Sequence, residues 1–398
     1  MAPLRLQHLH LPSIHPHYVP YSLANRVQEL LRRQHLDFKD SLSSSSSASN
    51  ASPPPSPPPP TLISFTPAPI FTLGRRQTAP LTPAEAARLT APLLISPLSL
   101  PSPSPSTPSA PSAQLTSPRR GNENQTIHPQ DHHHHQQDDA STSSNSTGAI
   151  STTPRLLHSP RGGLTTYHGP GQVVLWPILD LHPLHGAYRT FSVKCYARLL
   201  EETTIGTLGK GFGIEAFTTE DPGVWVRRLQ QQQQHRRDRE ERDREDGLAK
   251  IAALGVHLRR HITALGTALN VDMPGPEDVN ERTNPWARFV ACGLTGRGVT
   301  SIVDELAARG GQSVDQLLRL RQGAGGHQGQ STREAEVAGV WAGELARHIG
   351  LEEGDEGVEV AGKGEVIRLM EGLLADAVGE HDELQEERSY LERIKEAH

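Results

Sequence analysis

The segment Arg161-Gly-Gly-Leu-Thr-Thr-Tyr-His-Gly-Pro-Gly-Gln172 constrains the fold more than any other part of the chain. It places four glycines in twelve residues and runs straight into an apolar stretch, 173–181. Glycine at that density lets a backbone take positive φ and pass close to a ligand. The apolar stretch reads as a buried strand. A glycine-rich loop on the lip of such a strand is a place for a substrate to lie.

The rest of the chain bounds what can surround that loop. Its 398 residues suffice for two average domains, but hydrophobic residues make up only 35% and aromatics 4%. Both are low for a fully folded chain, so much of the length sits outside any core. A net charge of -6 gives no nucleic-acid footprint. No apolar run approaches the roughly 20 residues that a membrane span needs. The two cysteines, Cys195 and Cys292, are too few for a disulfide framework and read as reduced thiols of an intracellular protein. No apolar h-region marks a secretory signal. Residues 1–28 lack acidic side chains and carry Arg5 and Arg26, as a mitochondrial presequence does.

Order and low complexity alternate. A helix is predicted over 23–35 and two strands over 61–72, followed by a short helix over 82–89 capped by Thr82. Disordered inserts are expected at about 43–60 (Ser then Pro), 97–153 (Ser/Pro/Thr, then Asn/Gln/His) and 230–246 (Gln, then alternating charge). The run His132 to His135 and the triplets at Asn50, Asn124 and Asn145 fall in these inserts and read as low-complexity sequence. Between the inserts come a helix over 192–204, a short strand over 223–226, and a β-hairpin formed by 250–258 and 261–271 around Arg259-Arg260. Helices are predicted over 303–309, 314–320 and 332–349, a loop over 323–330, and mainly helix from 365 onward. The catalytic unit is accordingly expected over 1–320, with 321–398 as a mainly helical C-terminal extension.

Few residues outside the glycine-rich loop carry chemistry. Cys292 ends an apolar run and is followed at once by Gly293. A thiolate is the reactive form, and a free thiol has a pKa near 8.5, so Cys292 would need a nearby cation or base. Lys250 opens the apolar strand Lys250-Ile-Ala-Ala-Leu-Gly-Val256 and could hold an ammonium beside a thiol, or simply face solvent. His168 is the competing base. Cys195, among Phe191, Tyr196 and Leu199, reads as a small core residue. No P-loop, dinucleotide fingerprint or zinc-type Cys/His spacing is present, and no cofactor or metal is expected.

Taken in order, Arg161-Gly-Gly-x-x-Thr-Tyr-His-Gly-Pro-Gly-Gln172, Lys250-Ile-Ala-x-x-Gly-Val256, Gly266-x-Ala-Leu-Asn-Val271 and Cys292-Gly293 resemble the lipoyl(octanoyl) transferases. Thr72-Leu-Gly-Arg75 is similar to an earlier strand-end motif of that family, and Leu9-His10-Leu11-Pro12 to its start. The resemblance covers about 5–42, 61–95, 155–228 and 247–320. It implies an α/β architecture of the α+β type: a mixed β-sheet flanked by helices, like that of biotin and lipoate ligases. It also implies transfer of an octanoyl group from octanoyl-acyl carrier protein to a lysine of lipoyl domains, those of the 2-oxoacid dehydrogenases and the glycine cleavage H protein, in mitochondria. By that resemblance Cys292 carries the acyl thioester and Lys250 activates it. Arg161, Gly162, Gly163, Leu164, Thr165, Thr166, Tyr167 and His168, with Ala253, Leu254, Gly255, Gly266, Thr267 and Ala268, line the acyl site.

The chain departs from the family pattern at Ala291 (usually proline), Leu265 (usually histidine) and Ala253 (often serine). None of these removes the Cys/Lys pair. An ATP-dependent lipoate ligase of the same fold, a non-catalytic acyl-binding or scaffold protein, and a cysteine hydrolase are the other readings of these residues. The first would need no cysteine nucleophile, the second would take up no acyl group, and the third would release free octanoate.

Overall fold

The computed structural model describes residues 3–45, 56–96, 149–228, 247–275, 278–289, 298–322, 332–351, 354–379 and 381–397. Cys292, the loop 323–330, the histidine run, the three asparagine triplets and most of each expected insert lie outside the described residues. All described residues except Ser96 belong to one compact unit.

An eight-stranded sheet runs through that unit. Its strands are β1 (Leu6–His10), β2 (Thr61–Phe65), β8 (Gln172–Ile178), β9 (Val224–Arg227), β10 (Leu248–Arg259), β11 (Ile262–Asn270), β12 (Gly298–Val299) and β13 (Val358–Val360), ordered β12-β10-β11-β8-β2-β1-β13 with β9 also on β10. The pairs β1/β2, β1/β13 and β10/β12 are parallel and the others antiparallel, so the sheet is mixed, as expected. A second sheet orders β6 (Arg155–His158), β3 (Ile70–Leu73) and β7 (Thr165–His168), and β4 (Leu93–Ile95) pairs with β5 (Ile150–Thr152).

Helices cover both faces of the large sheet. Successive side chains of a strand point to opposite faces, and β8 divides its apolar residues accordingly. Val173 and Leu175 join one core with α3 (Val193–Phe212) and the helix Arg333–Ile349. Val174, Trp176 and Ile178 join the other core with α1 (Tyr21–Ser45) and the helices Lys363–Ala375 and His381–Glu396. A strand buried on both sides has no polar alternation, which is why 173–179 reads as a continuous apolar run.

Several predicted elements move at their ends. α1 and α3 run longer than expected, and α1 continues through Ser45, past the start expected for the first insert. Ile150–Thr152 is a strand although 97–153 was expected to be disordered; its edge pairing with β4 orders it. The strands expected over 61–72 both form but pair in different sheets. The hairpin turn is Arg260-His261, one residue later than expected, with φ of 51° and 67°. Two residues at positive φ suit the twist of a two-residue hairpin. Lys39 Nζ donates to the Arg260 carbonyl at 2.9 Å and His261 stacks on His182 at 4.1 Å, which holds non-glycine residues there. The C-terminal region is helical as expected, but Val358–Val360 also completes the large sheet against β1.

Candidate active site

A small cleft, about 40 Å³ in volume, opens over the middle of the large sheet. It is lined by Tyr21, Arg161, Thr166, His168, Val174, Trp176, Ala253, Leu254, Gly255, Leu265, Gly266, Thr267 and Ala268. Three segments far apart in sequence thus meet at one place. The β10/β11 register does part of this, setting Ala253 opposite Ala268, Leu254 opposite Thr267 and Gly255 opposite Gly266.

The cleft sits where β11 parts from β8. Their pairing stops at Thr267 and Leu175. Two positions further along β8, Pro177 has no N–H to give, and Thr263 Oγ1 donates to its carbonyl at 2.7 Å. Leu265 sits at φ 62°, and its N–H donates to Gln28 Oε1 of α1 at 2.6 Å. A buried side chain therefore takes up the N–H that the ladder leaves behind.

Arg161 is buried and clamps the second sheet to the cleft. Its Nη2 donates to the Thr72 carbonyl at 2.7 Å and to Thr72 Oγ1 at 2.9 Å, and Nε donates to the same hydroxyl at 3.2 Å. Its backbone carbonyl accepts from Arg75 N, and that of Gly163 from Arg76 N. Gly162, Gly163 and Leu164 thus belong to the turn against residues 74–76 and do not line the cleft. Alternation on β7 sends Thr166 and His168 to the cleft. Tyr167, on the other side, packs on Phe71 and Trp286, and Thr165 does not line the cleft.

His168 is nine-tenths buried and stacks on Tyr21, with ring centroids 5.8 Å apart. Burial, above all, and the nearby Arg161 charge push its pKa down to about 4, against the hydrogen bond to Gln172, so the ring is neutral at pH 7. Tyr21 also meets Trp176 edge-on at 5.2 Å, completing an aromatic wall. The Thr267 hydroxyl is buried with no hydrogen-bond partner among the described residues, and its strand partner Leu175 belongs to the core on the far face of the sheet.

Lys250 does not line this cleft. It is buried on β10, donates from Nζ to the Pro222 carbonyl at 3.0 Å, and lies 4.6 Å from the Trp225 ring centre. A cation over an indole face is stabilised by the ring quadrupole. β12 pairs with β10 beside it, setting Val299 opposite Lys250, and Thr300 N donates to the Lys250 carbonyl at 3.1 Å. Cys195 is an exposed free thiol in the first turn of α3, where a core position was expected. Among the described residues no helix is long and apolar enough to cross a membrane, and no group of three or more metal-ligating side chains forms.

Sequence reasoning missed two lining residues. Tyr21 comes from the start of α1 and carries no local signal. Leu265 stands out only as a departure from a pattern. Val174 and Trp176 lie in the apolar strand after the glycine-rich loop, which reads in the sequence as a buried strand.

Residues 136–318 match the model of the lipoyl protein ligase A/B catalytic domain. The octanoyl-[acyl-carrier-protein]:protein N-octanoyltransferase LIPT2, mitochondrial, of Danio rerio is 40% identical over 146 residues, which cover 37% of this chain and 50% of that protein. The octanoyltransferase, mitochondrial, of Saccharomyces cerevisiae is 34% identical over 161 residues, covering 38% of this chain and 40% of that one. The chain thus spans about half the length of the curated relatives it matches. Among solved structures, a lipoate-protein ligase A bound with ATP aligns over 96% of this chain and 98% of its own, at 11% identity and a TM-score of 0.40.

Proposed function

We propose that this chain, whose residues 136–318 match the lipoyl protein ligase A/B catalytic-domain model, belongs to that family and transfers an octanoyl group from octanoyl-acyl carrier protein to a lysine of a lipoyl domain. The convergence of Arg161, Thr166 and His168 with 253–255 and 266–268 on one cleft carries this reading. The names of the similar proteins supply the octanoyl group and the mitochondrial setting.

In this reading the Cys292 thiolate attacks the donor's thioester carbon. The carbon–sulfur bond to the carrier breaks, the carrier thiolate leaves and takes up a proton, and the octanoyl group is held on Cys292. A neutral lysine amine then attacks that carbon; a nitrogen–carbon bond forms, the bond to Cys292 breaks, and one amine proton leaves with the sulfur. Backbone N–H groups of the glycine-rich segments stabilise the acyl oxygen, which gains charge at each tetrahedral stage. Val174, Trp176 and Leu265 wall the apolar tail. Lys250 is the cation that lowers the Cys292 pKa. What supports that pairing is the placement of β12, which begins six residues after Cys292 and runs along Lys250. The acceptors are the lipoyl domains of 2-oxoacid dehydrogenases and the glycine cleavage H protein.

Intact-mass measurement on the full chain tests this. Mixed with octanoyl-acyl carrier protein, the wild type should gain an octanoyl group and pass it to an added lipoyl domain; Cys292→Ala should gain none. A Cys292→Ala chain that modifies the domain when given ATP and free octanoate would overturn the transferase in favour of a ligase.

A further inference from the structure

A relay of one-way hydrogen bonds fixes the tautomer of His168. The Thr300 carbonyl can only accept, so Asn270 Nδ2 donates to it, at 2.9 Å. Asn270 therefore turns Oδ1 toward Gln172, whose Nε2 donates at 2.9 Å. That leaves Gln172 Oε1 facing His168 Nδ1 at 2.7 Å. An amide oxygen accepts, so the ring proton sits on Nδ1. Gln172, Asn270 and Thr300 are all buried, so water does not compete for these bonds. Nε2 is then an unprotonated acceptor, and it has no hydrogen-bond partner among the described residues. The ring lines the cleft, and Tyr21 stacked on it at an interplanar angle of 20° holds its plane.

Such an acceptor selects its ligand. It repels a carbonyl oxygen and suits an N–H. Resting on the acyl-transfer reading above, we infer that His168 Nε2 accepts a hydrogen bond from the attacking amine of the acyl acceptor, and that Gln172 and Asn270 are positioning residues that keep Nε2 bare for it. One N–H held on Nε2 fixes the direction of the nitrogen lone pair and steadies the positive charge that builds on nitrogen as the new bond forms. The ring gains and loses no proton: one amine hydrogen stays in the amide and the other leaves with the Cys292 sulfur.

The relay and the contact are read separately on the full-length chain. Histidine-labelled protein, with His168 assigned by its loss in His168→Phe, should give the nitrogen NMR signature of a ring protonated on Nδ1 and bare on Nε2 at neutral pH. Gln172→Glu puts a carboxylate against Nδ1, which favours the doubly protonated ring. In that variant Nε2 should carry a proton near neutral pH. Transfer from the loaded chain to a lipoyl domain should fall about tenfold further than loading from octanoyl-acyl carrier protein, equivalent to about 1.4 kcal/mol in the second step. A wild-type ring protonated on Nε2 overturns the relay, and the wild-type spectrum decides this even if the variant does not fold. Equal losses in loading and transfer overturn the amine contact while leaving the acyl-transfer reading intact. A wild-type chain that takes up no octanoyl group removes that reading and the contact with it.

Discussion

The stem of Arg161 lies across the backbone of Gly255, with its Cδ 2.8 Å from where a β-carbon on Gly255 would stand. The guanidinium cannot swing aside freely, because Thr72 holds it through both its hydroxyl and its carbonyl. Gly255→Ala therefore pushes the arginine into the cleft or breaks its bonds to Thr72. We expect acyl-donor kcat/KM to fall about tenfold, roughly 1.4 kcal/mol, with the thermal transition lowered by only a few degrees. Unchanged kinetics would mean that the stem relaxes elsewhere and that Gly255 does not set the cleft's shape.

Gly171 supports the site from behind. It sits at φ 84°, and a β-carbon there would stand 2.1 Å from the Asp272 carbonyl oxygen. Its own carbonyl accepts from both Val271 and Asp272 at 2.8 Å. Gly171→Ala combines left-handed strain with a backbone clash and should cost about 2–4 kcal/mol. Denaturant unfolding measures this; a loss under about 1 kcal/mol would contradict the close approach.

Acid should find His8 early. Burial first, and His10 beside it, push the His8 pKa down to about 3. The native state holds the ring neutral, while the unfolded chain takes up its proton below about pH 6.5. His8 therefore contributes fully above that pH, and its contribution is lost as pH falls toward the folded value, by at most about 1.4 kcal/mol per pH unit. His8→Gln cannot titrate, so its stability deficit against the wild type should shrink steadily between pH 6.5 and 4. A deficit that is constant over that window would show that His8 is not held neutral.

Thr82 offers a cleaner local test. Its hydroxyl accepts from Glu85 N at 3.2 Å, and Glu85 Oε2 accepts from Thr82 N at 2.8 Å, closing a capping box on α2 (Pro83–Leu89). Thr82→Ala should cost about 1 kcal/mol in unfolding free energy. Octanoyl loading should not change, since neither residue lines the cleft.

Local chemistry is what a sequence carries well, and Thr82 is a case of it: a threonine three residues before a glutamate announces the cap. The hairpin of β10 and β11 and the doubly buried β8 were legible for the same reason, since alternation or its absence is written in neighbouring residues. The cleft was legible as three segments but not as a shape. Alternation on β7 could have separated Thr166 and His168 from Tyr167, yet nothing local says which face looks inward. Gln172, Asn270 and Thr300 are ordinary residues until β8 and β11 set Gln172 opposite Asn270. Tyr21 reaches the site only because α1 packs across the sheet, a tertiary fact with no local trace.

The pairing of Leu6 with Val358 gives the chain an order of events as it is made. A ribosome adds about 5–20 residues each second, so β1 emerges tens of seconds before the three residues that cover its outer edge. Until then the N–H and C=O groups on that edge are open to any passing strand. The newborn protein thus carries an adhesive margin through most of its synthesis, until Val358–Val360 seals it. Chaperone capture of ribosome-bound chains should be strongest before Val360 is added and should fall once it has left the exit tunnel.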